Sequence, residues 1–147
     1  MIRTEHEYQE MLKRVDQDNI FIQSQAKHFL EMGLTEEQVN HALEPSLSFH
    51  AQLIDEVQYY ERIKRGDFEA LTNLSDLGRF LIGLRMYRGI SQSELARQLN
   101  VSEAQVSRDE RNEYHGISVE KAQKIISALD ITLETKVKYI PPLRAAG

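Results

Sequence analysis

Between Gln92 and Asn112 the chain gathers side chains whose hydrogen-bonding groups match nucleobase edges and phosphates. Arg108 carries a planar fork of donors, suited to O6 and N7 of guanine. Gln105 sets a donor beside an acceptor, suited to N6 and N7 of adenine. Glu103 has two readings: it accepts from the amino group of cytosine, or it only stabilises the helix it starts, as an acid in a first turn does. Covalent chemistry finds no such support. There is no cysteine, hence no disulfide framework and no cysteine zinc site. No nucleophile–base pair and no glycine loop able to cradle a phosphate stands out. Three residues before the histidines lie Arg3, Gln25, Gln38, Leu47 and Asn112, so the Glu-x-x-His spacing of a di-iron bundle is missing. A non-enzyme without catalytic residues, cofactor or metal is expected.

Such side chains read a surface only if a helix holds them rigidly, and the sequence provides the start and stop signals. Ser91-Gln92-Ser93-Glu94 is a capping box for a helix to Leu99, and Ser102-Glu103-Ala104-Gln105 is another for a helix to about Arg111. Ser75 is expected to cap the preceding helix through Arg88, closed by Gly89, and Ser118 a following one to Leu129. Two helices joined by so short a turn need a small residue where they cross, which Ala96 supplies. They need a residue tolerant of positive φ in the turn, which Asn100 supplies. They also need apolar wedges, for which Leu95, Leu99, Val101 and Val106 stand at the right offsets. With Val106 turned to the core, its neighbours at one or two positions lie outward.

On these residues, "GISQSELARQLNVSEAQVSRDERN" resembles the Xre/Cro-type helix-turn-helix of phage repressors and bacterial regulators. The resemblance covers about residues 75–130. It implies a bundle of four or five helices whose third helix, Glu103 to Arg111, enters the major groove of double-stranded DNA. It implies that Gln92 bonds a phosphate, and that the first turns of the third helix face base edges. The DNA-facing set is then Gln92, Ser102, Glu103, Ala104, Gln105, Ser107, Arg108, Arg111 and Asn112. For Arg88, Arg97 and Arg111, phosphate contact and a solvated basic face are equal readings. The family also pairs an arginine of the first helix with a glutamate ending the third, which here implies a buried Arg85–Glu110 pair with Asp109 toward solvent. After the third helix, "NEYHG" is a loop that meets the DNA backbone, with Tyr114 alternatively packed beneath it.

Outside this segment the pattern is less specific. Net charge is −5, but it is unevenly spread: residues 1–70 hold 14 acids and 7 bases, residues 71–130 hold 8 of each. The second segment is thus neutral overall and can still carry a basic face. Residues 1–70 read as an N-terminal helical region. A capping box at Thr4–Glu7 opens a helix that "DQDN" (16–19) breaks or bends, and Gly33 stops it. A second box at Thr35–Gln38 opens a short helix to Glu44. Pro45 ends that helix or starts the next, and Leu47, His50, Ile54, Val57 and Tyr60 form the stripe of a longer one. In 131–140 the period changes to two, with Ile131, Leu133, Thr135 and Val137 on one face. A C-terminal β-strand follows, paired with its copy as a ribbon across a homodimer or with the chain's own N-terminal half; residues 141–147 are a tail. The expected fold is therefore mainly α with one strand.

That arrangement also resembles, more loosely, HigA-like and HipB-like antitoxins. The resemblance implies a toxin as a partner for residues 1–70, against which stand a dimerisation role and a plain acidic cover. No apolar run reaches the ~20 residues of a membrane span, and "MIRTEHEYQE" is no signal peptide, so a cytoplasmic location without membrane contact is expected. The functional expectation is a dimeric, sequence-specific repressor. The alternatives are an antitoxin that autoregulates its operon, and a helical scaffold that no longer reads DNA.

Overall fold

Side-chain caps start nearly every helix of this chain. The computed structural model describes residues 1–145. In order, these form α1 (Glu5–Glu31), α2 (Glu36–Lys64), a 3₁₀ turn (Leu74–Asp76), α3 (Leu77–Tyr87), α4 (Gln92–Leu99), α5 (Glu103–Arg111) and α6 (Val119–Ala128). Thr4, Thr35, Ser91, Ser102 and Ser118 each accept a hydrogen bond from the third residue of the helix they open. Reciprocal boxes close at Thr35 and Ser91. At α1 the returning carboxylate of Glu7 overshoots to the Arg3 amide, 2.7 Å away. Ser75 does not cap; the cap is Asn73, which takes the Ser75 amide and starts the 3₁₀ turn before α3.

Two expected interruptions are absent from the long helices. "DQDN" stays inside α1 because Asp18 bonds His50 of α2 at 2.8 Å instead of competing for its own backbone. Pro45 lies inside α2, where a proline forfeits a backbone bond at a cost of ~3 kcal/mol. Burial of Val39 and Leu43 before it, and of Leu53, Val57 and Tyr60 after it, keeps one continuous face against α1. The stripe consequently runs through Leu43 and Leu53, and Leu47 is left largely exposed.

α1 and α2 form an antiparallel hairpin, here the arm. Its root shares one core with the α3–α6 bundle: Ile2, Val57, Tyr60 and Ile63 join Leu81, Ile82, Leu95, Val106, Ile125 and Leu129. Its tip has only a small cluster of its own, built on Ile22, Val39 and Leu43. The boundary drawn at residue 70 falls in the connector, yet the core crosses it. Among the described residues, no helix is long and apolar enough to cross a membrane.

The C-terminal strand is not found. Among the described residues none is in a strand, and residues 131–145 have no regular structure. A strand needs a neighbour to take its amides and carbonyls. Among the described residues, the only such backbone bond here runs from the Ile131 amide back to Ile126. Ile131 packs partly on the core, but Leu133 and Thr135 are exposed and Val137 is 74 % exposed, so the inward-facing set does not form. The described chain is helical and irregular only. Residues 146–147 of the expected tail lie outside the described residues.

One close approach sets the bundle's geometry. A Cβ on Gly78 of α3 would sit 1.7 Å from the carbonyl oxygen of Glu113, in the loop after α5. Gly78→Ala should therefore force that loop off α3 and lower the urea unfolding midpoint by the equivalent of about 1–3 kcal/mol or more. An unchanged midpoint would mean that the loop is not held there.

Candidate nucleic-acid interface

The geometry of α5 begins with a buried ion pair. Arg85 of α3 and Glu110 of α5 meet in a bidentate contact, Nε to Oε1 and Nη2 to Oε2, the latter at 2.8 Å. Both side chains are almost fully buried. A buried charge is tolerable only when its hydrogen bonds are complete, and here they are extended on both sides. Arg85 also donates to the carbonyls of Ile90 (2.8 Å) and Arg3 (3.0 Å). Glu110 accepts a third bond, from Nε2 of Gln92 at 2.6 Å. Five segments thus meet at one pair: the chain before α1, α3, the α3–α4 turn, the start of α4 and the end of α5.

With Val106 and Glu110 facing inward, a helix of 3.6 residues per turn turns Ala104, Arg108 and Arg111 to the opposite side. These three are exposed, and Ser107 borders them half-buried. Neither Arg108 nor Arg111 has an ion-pair partner among the described residues. Gln105 lies on the flank toward α6: its amide donates to Asp109 at 2.8 Å, and Asp109 accepts from Lys121 of α6 at 2.6 Å. Asp109 is therefore a clamp between α5 and α6 and is only partly open to solvent. Ser102 is exposed, its hydroxyl held by the Gln105 amide. Glu103 is exposed in the first turn and lines a cleft with Arg3 and Gln92. Asn112 is exposed at the helix end.

The helix-turn-helix geometry follows the sequence closely. Asn100 ends α4 in the left-handed conformation, φ 55°, and Leu95, Ala96 and Val106 are buried at the crossing. Val101 differs: it is 43 % exposed and does not wedge the pair. Gln92 is turned inward, with one amide hydrogen on Glu110. Arg88 is exposed, and its Nε also bonds the Leu129 carbonyl at the end of α6, 2.9 Å away. Arg97 is exposed, Tyr114 is packed beneath its loop, and His115 is exposed. The sequence reading missed two participants. Lys121 is one; the Gln105–Asp109 spacing of four residues signals the first half of its network. The other is the Ile2–Arg3 segment, which no local pattern marks.

Removing one partner of the buried pair leaves the other charged and desolvated. Arg85→Ala should cost roughly 3–5 kcal/mol, read as a lowered midpoint in thermal and urea unfolding. An unaltered midpoint would contradict the bracing role.

Residues 84–136, from within α3 to beyond α6, match the family model described as helix-turn-helix. Comparison with curated proteins and with solved structures returned no match. The match spans the crossing of α4 and α5, the αL turn at Asn100 and the Glu110 brace. This segment of the chain is a helix-turn-helix of the Xre/Cro type, a class of DNA-binding domain.

Proposed function

We propose that the protein is a sequence-specific transcriptional repressor that reads its operator with α5. The observation that carries this reading is the distribution of charge on α5. Its three acids are committed elsewhere or at its edge: Glu110 to Arg85, Asp109 to Lys121 and Gln105, and Glu103 to the first turn. The open face then presents Ala104, Ser107, Arg108 and Arg111, two of them cations. Arg108 is the long donor at its centre, placed to take guanine by a bidentate contact, and Ala104 is placed for a thymine methyl. Arg111 and Arg97 serve as phosphate contacts. Gln105, Ser102 and Gln92 act by orientation: their hydrogen bonds fix the ends of α4 and α5. Two copies acting as a homodimer would present paired helices to half-sites one DNA turn apart, roughly 34–36 Å.

A second reading has its own support. Residues 16–44, the outer part of the arm, hold six acids and a single lysine, Lys27, and expose Ile20, Phe21 and Met32. That surface suits a basic protein partner, as in an antitoxin whose helix-turn-helix controls its own operon. A toxin encoded beside the gene, and co-purifying with the chain, would favour it.

Selection of bound sequences from a random DNA pool tests the first reading. Inverted repeats with centres one turn apart are expected. Binding should weaken steeply with salt. Arg108→Ala should lose roughly 1–3 kcal/mol of discrimination between the selected site and a scrambled one. Arg111→Ala should weaken both alike. Recovery of unrelated sequences, or equal losses on both DNAs for Arg108→Ala, would reject base reading by α5.

A further inference from the structure

The outer part of the arm has a thin core: Ile22, Val39 and Leu43 are buried there, with Ala26, Phe29 and Leu34 packed against them. From these inward residues, a turn of about 100° per residue fixes the two flanks of the hairpin. Phe21 and Met32 of α1 stand eleven residues apart, close to three full turns, so they share one flank, and Arg14, seven residues before Phe21, lies on it too. The matching stripe on α2 is Ala42 and Phe49. The Arg14 guanidinium lies over the Phe49 ring, 5.1 Å from its centre, which puts both stripes on the same side of the hairpin. Phe21, Met32, Ala42 and Phe49 are all exposed. The two sides differ in charge. Over residues 14–32 and 42–49, the carboxylate on this side is Asp18, already bonded to His50 at 2.8 Å. Asp16, Glu31, Glu36 and Glu44 lie on the crest and the opposite flank, where Leu30 and Leu47 are exposed.

We infer that this side is where the arms of two copies pack, each Phe21–Met32–Phe49 face against its like across a two-fold axis, closing a four-helix bundle. Charge selects the occupant. A basic partner is drawn to the acidic flank and gains nothing here, and an acidic one finds the cation, Arg14, already seated on Phe49. Two copies of a neutral face meet without repulsion, although each chain carries −5, and their acids stay outside the new bundle. Size agrees. The face runs about 27 Å along α1 and is roughly 20 Å wide, two helix diameters. Covered by its like, it takes roughly 1,000 Å² or more from water, which is what a specific pair of proteins needs. Pairing also gives the thin cluster at Ile22, Val39 and Leu43 a second layer. The inference deepens the dimeric part of the reading above, rests on its two copies and not on its operator, and leaves the acidic flank open to a basic partner.

The test is sedimentation equilibrium of the full chain, for which a dimer is expected. Phe21→Glu and Phe49→Glu each put an unpaired carboxylate into the face. Both should raise the dimer dissociation constant at least tenfold while helix content by circular dichroism is kept, because both positions are exposed in the single chain. Leu30→Glu and Leu47→Glu make the same change at matched exposure on the other flank, Leu47 at 43 % against Phe49 at 42 %. They should leave the constant within about twofold, as should Val137→Asp beyond α6 and Arg108→Ala on α5. The inference is overturned if the chain sediments as a monomer, if Phe21→Glu and Phe49→Glu remain as dimeric as the wild type, or if Leu30→Glu, Leu47→Glu or Val137→Asp dissociates the dimer equally. Arg108→Ala losing site discrimination in a chain that proves monomeric would leave the operator reading standing while this inference fails.

Discussion

A carboxylate sealed from water constrains this protein more than any other group. Glu110 at the end of α5 is fully desolvated, and a desolvated carboxylate persists only inside a complete set of donors. Arg85 and Gln92 provide three hydrogen bonds. Arg85 in turn is held at Ile90 and Arg3. A hydrophobic contact would let α5 slide or turn by a fraction of a residue at small cost. A bidentate pair does not, because its two bonds have fixed directions. The orientation of the open face of α5 therefore follows from the brace behind it. Such pairs are poor sources of net stability; what this one contributes is position.

The same brace ties the arm to the bundle. Arg3 offers its carbonyl to Arg85, Ile2 enters the shared core, and Tyr60 of α2 donates to Glu5 at 2.9 Å while stacking on Tyr8 at 4.6 Å. Burial, with the Glu5 acceptor second, pushes the Tyr60 hydroxyl well above the usual phenol range, so it stays a donor. The root of the arm is thus part of the unit that holds α5. Its tip is held by its own small cluster, and acids occur along the whole arm, at the root as well as the tip.

The crowding of acids in α5 follows from the same geometry. On a straight count of charge, "EAQVSRDER" is nearly neutral and poorly suited to a polyanion. In the folded protein, Glu110 points into the core and Asp109 sideways to α6, leaving the arginines outward. The neutrality of the segment is an average over directions that DNA would never sample together.

Local signals were strong enough to read from the chain itself. Hydroxyl caps at Ser91, Ser102 and Ser118, the left-handed turn at Asn100 and the small residue Ala96 each act within a few bonds of their own position. That is why the helix-turn-helix is legible in the chain itself, whereas the Arg85–Glu110 pair, between residues on different helices, is expected only from the family resemblance. What depends on distant partners is not legible there. Pro45 and "DQDN" pass through uninterrupted helices because α1 and α2 bury one continuous face against each other. Residues 131–140 alternate like a strand, yet nothing in the chain offers an edge, and alternation without a ladder leaves them unpaired. Gln105 is a base reader by type; in the fold its amide also donates to Asp109, which Lys121, sixteen positions on from Gln105, holds toward α6. Sequence determined the helices, their caps and the turn because those interactions are short-range. Only the tertiary structure decided which side chains on them face outward, because that is set by hydrogen bonds between elements far apart in the chain.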